Sequence, residues 1–144
     1  MADTVEHRRP LDPIHPVHAV LVSSALTLFL GALLSDWAYS TSYQVQWTNF
    51  ASWLIAAALL FVGFALLWAI IDSLRADTGE KRHKWIHVGL LVATFVIGLI
   101  NALVHSRDAW AAMPAGLILS IICVLLALAA VWTAFSSHRI GASR

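Results

Sequence analysis

Cysteine, charge and every recognisable catalytic signature are scarce in this chain of 144 residues. The one cysteine, Cys123, excludes an intrachain disulfide and says nothing about redox compartment. No Cys-x-x-Cys pair, glycine-rich phosphate loop or nucleophile–base–orienter set occurs, so no catalytic residue is assigned and a self-contained enzyme is not expected. Charged residues make up only 12% of the chain, against about 25% in an ordinary soluble domain. The formal net charge of +1 offers no basic surface for nucleic acid. Proline is also sparse, with four in all, and none interrupts a long apolar run.

Those apolar runs are the dominant feature. They cover roughly Val17–Leu34, Phe50–Ile71, Trp85–Val104 and Met113–Phe135. Each approaches the ~20 residues that a helix needs to cross a ~30 Å hydrocarbon core. Hydrophobic residues reach 60% and mean hydropathy is +0.78. The expected fold is all-α: an integral membrane four-helix up-down bundle forming one transmembrane domain. The first run is longer than a secretory h-region and no small-x-small cleavage site follows it, so it reads as a retained helix.

Charge sets the expected orientation. Arg8 and Arg9 precede the first run, Arg75, Lys81, Arg82 and Lys84 separate the second from the third, and Arg139 and Arg144 follow the fourth. Only Arg107 lies on the other side. The positive-inside rule then puts both termini in the cytoplasm, for a multi-pass protein of a bacterial inner membrane. Trp37, Trp47, Trp53 and Trp110 fall near the outer interface, and Trp68, Trp85 and Trp132 near the inner one. An outer loop over about Ser35–Asn49 and a tight outer turn over Ser106–Asp108 complete this topology.

Small and polar residues decide helix packing in lipid, because burying one apolar face on another gains little there. Ala19, Ser23, Thr27, Gly31 and Ser35 form a ridge at four-residue spacing on the first helix, a packing face or a homodimer face. Gly116, Ser120, Cys123, Ala127, Ala130 and Ala134 form a seam on the fourth, and Pro114 suits its start. The third carries His87, Leu91, Thr94, Gly98, Asn101 and His105 on one stripe, which points its polar groups inward.

Seven histidines are many for so apolar a chain. His15 and His18 stand at the mouth of the first helix, and His83 and His87 at the mouth of the third, each pair able to share a helix face. His18 and His87 enter at comparable depth. Facing imidazoles of this kind suit one bis-histidine b-type haem. With His15, His83 and Asp72 they could instead hold another metal. Buried ionisable groups in a span also suit a proton relay. His87 and His105 lie eighteen residues apart, on one face but ~27 Å apart along the axis. Beyond them, Asp36, His105, Arg107 and Asp108 make an outer polar cluster, in which Arg107 is expected to pair with an aspartate, dock a partner or contact a quinone head.

These residues resemble the bacterial membrane family catalogued as domain of unknown function 2231, over nearly the full length. The resemblance rests on His15-Pro16 before the first span, Asp36 closing it, Asp72 closing the second, His87 opening the third, and Asn101 with Arg107 at its end. It implies that His15, Asp36, Asp72, His87 and Arg107 are the positions to test. The stretch Ser137-His138-Arg139-Ile140-Gly141 departs from the family's aromatic-His-Gly tail. The family's layout is similar to that of small four-helix b-type cytochromes. Some relatives are associated with periplasmic quinoprotein dehydrogenases of the sorbosone dehydrogenase type.

The expected function is therefore a small membrane subunit that binds one haem b between His18 (or His15) and His87, with Thr94 and Asn101 beside it. It would pass electrons between a partner dehydrogenase and the quinone pool. A cofactor-free anchor for a periplasmic enzyme is the main alternative, and a proton-linked carrier using Asp72 and His87 ranks last.

Overall fold

The computed structural model describes residues 14–76 and 81–140, without side chains for 137–140. Arg8, Arg9, Arg144 and the tail side chains named above lie outside what is described. The described residues form five helices: α1 (Pro16–Ser42), α2 (Val45–Arg75), α3 (Lys81–His105), the single turn α4 (Ala109–Ala112) and α5 (Ala115–Ile140). Four of them are long and apolar enough to cross a membrane. Helices suit that setting because each satisfies its own backbone groups where no water can.

The helices are longer than the apolar runs, and the expected loop over Ser35–Asn49 shrinks to Tyr43 and Gln44. Hydroxyl side chains explain how so polar a stretch stays helical. Ser40, Thr41 and Ser42 bond back to the carbonyls of Trp37 and Ala38 at 2.6–3.3 Å, feeding their polar groups into the helix itself. Tyr43 then takes a left-handed conformation (φ 56°) and its N–H closes on the Tyr39 carbonyl. At the other end of α1, Pro16 occupies the first turn and His15 caps it, Nδ1 accepting from the Val17 N–H at 3.3 Å. The far connection is also longer than a tight turn, running through Ser106–Asp108 and α4 to Pro114.

Contacts place the helices in a ring, α1 on α2, α2 on α3, α3 on α5 and α5 on α1. Neighbours run antiparallel: Gly63 lies against Phe95 and Gly98 against Leu59 on α2 and α3. Likewise Asn101 meets Ser120 and His87 meets Thr133 on α3 and α5. The diagonal helices α1 and α3 are thus parallel, and their inward stripes match residue for residue. His18 faces His87 and Asp36 faces His105, both at a sequence separation of 69. Between them, buried Val22, Ala25, Phe29 and Ala32 stand at the same separation from buried Leu91, Thr94, Gly98 and Asn101. Size is complementary at the middle: a Cβ on Gly98 would lie 3.1 Å from the Phe29 ring and 3.0 Å from Leu59.

The seam expected on the fourth span is buried throughout, and so is the stripe on α3. The ridge on α1 is not. Ser35 is buried and Gly31 packs on Leu54, but Ser23 and Thr27 face outward. The buried stripe of α1 follows His18, Val22, Ala25 and Phe29 instead, because those positions point at α3. All seven tryptophans lie at the surface, where amphipathic rings belong in a bilayer protein.

Candidate functional site

Buried polar groups concentrate at the two ends of the α1–α3 diagonal. At the basic end, beside the α2–α3 connection, His18 Nε2 stands 3.0 Å from His87 Nε2, with the rings edge-on at 76°. Both side chains are buried. Behind His87, its Nδ1 lies 2.9 Å from the Thr133 hydroxyl, which in turn donates to the Ala130 carbonyl at 3.0 Å. With the hydroxyl proton on that carbonyl, His87 Nδ1–H must donate to Thr133. Its Nε2 then carries a lone pair, and His18 Nε2–H fills it. The chain of donors ends at His18 Nδ1, a buried nitrogen with no partner among the described residues. In this arrangement each ring carries one proton, one of the two lies in the gap between the Nε2 atoms, and His18 Nδ1 is left as a bare basic nitrogen.

The other basic-end residues have separate roles. His15 caps α1 and stacks obliquely on Trp68 at 4.6 Å. His83 Nε2 donates to the Thr133 carbonyl at 3.1 Å. Asp72 pairs with Lys84 at 3.0 Å near the surface. Among the described residues, no three His, Cys, Asp or Glu side chains converge to hold a metal ion. The ligand set weighed for His15, His83 and Asp72 with the central pair is thus not assembled.

A b-type haem between His18 and His87 can be tested against the same geometry. The donor atoms suit it: two Nε2 atoms face each other and Thr133 fixes His87 from behind, as outer partners of metal-bound imidazoles do. The spacing does not suit it. Two axial Fe–N bonds of about 2 Å need about 4 Å between the nitrogens, and these stand 3.0 Å apart. One turn further in, the cavity lined by Val22, Ala25, Leu91, Thr94, Ala127 and Ala130 amounts to only about 10 Å³. That is water-sized at most. As packed, the rings exclude a macrocycle, and a haem would require α1 and α3 to part. Thr94 lines this small cavity, its hydroxyl bonded to the Leu90 carbonyl at 2.7 Å. Asn101 does not line it; it belongs to the opposite end.

There, Asp36 is fully buried and accepts two hydrogen bonds, from His105 Nε2 at 2.8 Å and from the Ser120 hydroxyl at 2.5 Å. Asn101 Nδ2 donates to Ser120 Oγ at 2.9 Å, and Asn101 Oδ1 is buried with no donor among the described residues. His105 Nδ1 contacts the Asn101 carbonyl at 3.0 Å. Gly116 is required here, since a Cβ on it would come 2.8 Å from His105 Cε1. The serine, histidine and aspartate do not form a nucleophile triad, because Ser120 bonds to Asp36 and not to the imidazole. Arg107 was expected to neutralise an aspartate of this cluster. Instead it is exposed, as is Asp108, and His105 is the partner of Asp36. The register explains it: Asp36 sits on the inward stripe of α1, whereas Arg107 lies past the end of α3.

Sequence reasoning missed the Asp36–His105 pairing, although its signal was present. His18 and Asp36 are separated by eighteen residues, as are His87 and His105. Two parallel helices that align one pair must align the other.

Four apolar spans, closed on themselves around polar end-pairs, define a polytopic membrane protein with ionisable groups inside its bundle. The chain belongs to the family of predicted membrane proteins DUF2231, which it matches over residues 14–140. No curated protein and no solved structure matches it.

Proposed function

We propose that this protein is a small, non-catalytic charge-relay subunit of a bacterial inner membrane, working through His18 and His87. The observation that carries this reading is the 3.0 Å approach of two buried Nε2 atoms beside a third ring nitrogen, His18 Nδ1, that has no partner among the described residues. Ionisable groups are costly inside a span and mark proton or ion pathways there. As packed, the pair takes up and gives up a proton at the basic end, the cytoplasmic end by charge. The layer from Val22 and Leu91 to Phe29 and Gly98 is apolar but for Thr94, whose hydroxyl is bonded to the Leu90 carbonyl, and gives no continuous path across the bundle. The proton therefore serves chemistry carried out by a partner in the membrane, and not net flux.

Electron carriage is the second reading, favoured by the facing Nε2 atoms and by Thr133 behind His87. Here His18 and His87 would hold one haem b, and the subunit would link a partner dehydrogenase to the quinone pool. A bound haem supplies one-electron chemistry; the residues supply ligation and orientation. This reading requires the diagonal to open.

Two measurements on protein isolated from its native membrane decide between them. A reduced-minus-oxidised spectrum with Soret and α-band shifts, lost in His18→Gln, establishes the electron reading. Without those bands, ¹⁵N signals of His18 and His87 that titrate as one coupled unit support the proton reading. If there is no chromophore and the two rings titrate independently, charge relay fails. A cofactor-free anchor for a periplasmic enzyme is then what remains.

A further inference from the structure

We infer that Asp36 and His105 form a second proton-binding site, at the end of the bundle opposite His18 and His87, in which His105 is held as an imidazolium. His105 stands between two oxygen atoms. His105 Nδ1 faces the Asn101 carbonyl at 3.0 Å, a group that can only accept. His105 Nε2 faces Asp36 Oδ1 at 2.8 Å. Ser120 fills the second carboxyl oxygen as a donor at 2.5 Å, and Asn101 Nδ2 keeps Ser120 in that role by occupying its lone pair. Both contacts on the carboxyl group have the lengths of charge-assisted bonds to a carboxylate. With Asp36 ionised it only accepts, and both ring nitrogens of His105 carry protons.

The surroundings make that proton hard to dispense with. The side chains of both partners are fully shielded. Removing the proton would leave one uncompensated negative charge in a span, and adding another would leave one uncompensated positive charge. Either is far costlier than the neutral pair. Few other titratable groups face it: Tyr39 on α1 and Cys123 on α5 are buried nearby, and the described part of α2 opposite Asp36 contributes none. Arg107 and Asp108 stand just beyond, exposed, and mark the water-facing side from which the proton exchanges. The site joins α1, α3 and α5 at once, so its ligand is a proton that clamps three helices. Nothing in this depends on the role given to His18 and His87.

The test is ¹⁵N NMR of histidine-labelled full-length protein in lipid nanodiscs at neutral pH, with His105 assigned individually. Two protonated ring nitrogens on His105 are expected, and one bare nitrogen overturns the inference. In Asp36→Asn the ring should drop to a single proton; retention of both overturns the assignment of Asp36 as the counter-charge. Should that variant fail to fold, Ser120→Ala keeps the pair and should keep both protons on His105, and loss of one there also overturns it. A doubly protonated His105 would stand even if the His18–His87 pair proved to have no function.

Discussion

At the basic end of the bundle two imidazoles meet with their Nε2 atoms 3.0 Å apart, whereas at the other end an imidazole meets a carboxyl group at 2.8 Å. The helices are the same two, and so is the separation of 69 residues. What differs is the balance of charge and the number of partners. The Asp36 end is neutral as a pair and knotted to α5 through Ser120 and Asn101. The His18 end keeps a buried ring nitrogen without a partner among the described residues. A closed, fully used pair suits structure and steady proton occupancy. An under-satisfied one suits exchange, because a group with spare capacity has somewhere to put an arriving proton.

Mutations at the two ends should therefore differ in size. Replacing Asp36 with Ala leaves a buried imidazole nitrogen and the Ser120 donor without their partner, at a cost of about 3–5 kcal/mol for a broken buried pair. Thermal melts in detergent should show a large fall in Tm, well beyond that of His18→Ala; equal losses would erase the distinction between the ends. Next comes Gly116→Ala, whose Cβ would meet His105 Cε1 at 2.8 Å and force the ring aside for about 1–3 kcal/mol. Gly89→Ala, with nothing within 4 Å of the new Cβ, serves as its control and should leave Tm unchanged or slightly raised.

Thr133→Val removes the acceptor behind His87 and should cost about 1 kcal/mol. It should also redistribute the His87 ring proton, visible as exchanged ¹⁵N signals for its two nitrogens. An unaltered tautomer would mean that Thr133 does not set the direction of the donor chain. The smallest effect is expected for Asp72→Asn. Its partner Lys84 and Asp72 itself are both partly exposed, at 28% and 55%, so screening leaves at most about 1 kcal/mol. A Tm drop comparable to that of Asp36→Ala would show that surface charge, and not the buried diagonal, holds the bundle.

Several of these features were legible beforehand and others were not, for identifiable reasons. Period and polarity suffice for the α3 stripe from His87 to His105, since a helix lays such residues on one face whatever surrounds it. The ridge on α1 has equally regular spacing, yet Ser23 and Thr27 turn outward. Spacing tells which residues share a face and not which face meets a neighbour. The stretch after Ser35 reads as a loop by composition but remains helical, because its hydroxyls return their bonds to the helix's own carbonyls. From its sign alone Arg107 looked like a counter-charge for one of the aspartates, Asp36 or Asp108. The fold instead supplies His105, five turns along α3 from His87.

Composition and charge by themselves determined that this chain has four spans and which residues can line an interior, because lipid admits only long apolar helices whose backbone is internally satisfied. Which imidazole meets which partner was decided only by the diagonal register of α1 on α3. That register depends on packing such as Phe29 over Gly98, and contacts between helices far apart in sequence leave no local trace. The same register also decides how much room lies between His18 and His87, and hence whether a proton or a larger group can occupy the gap.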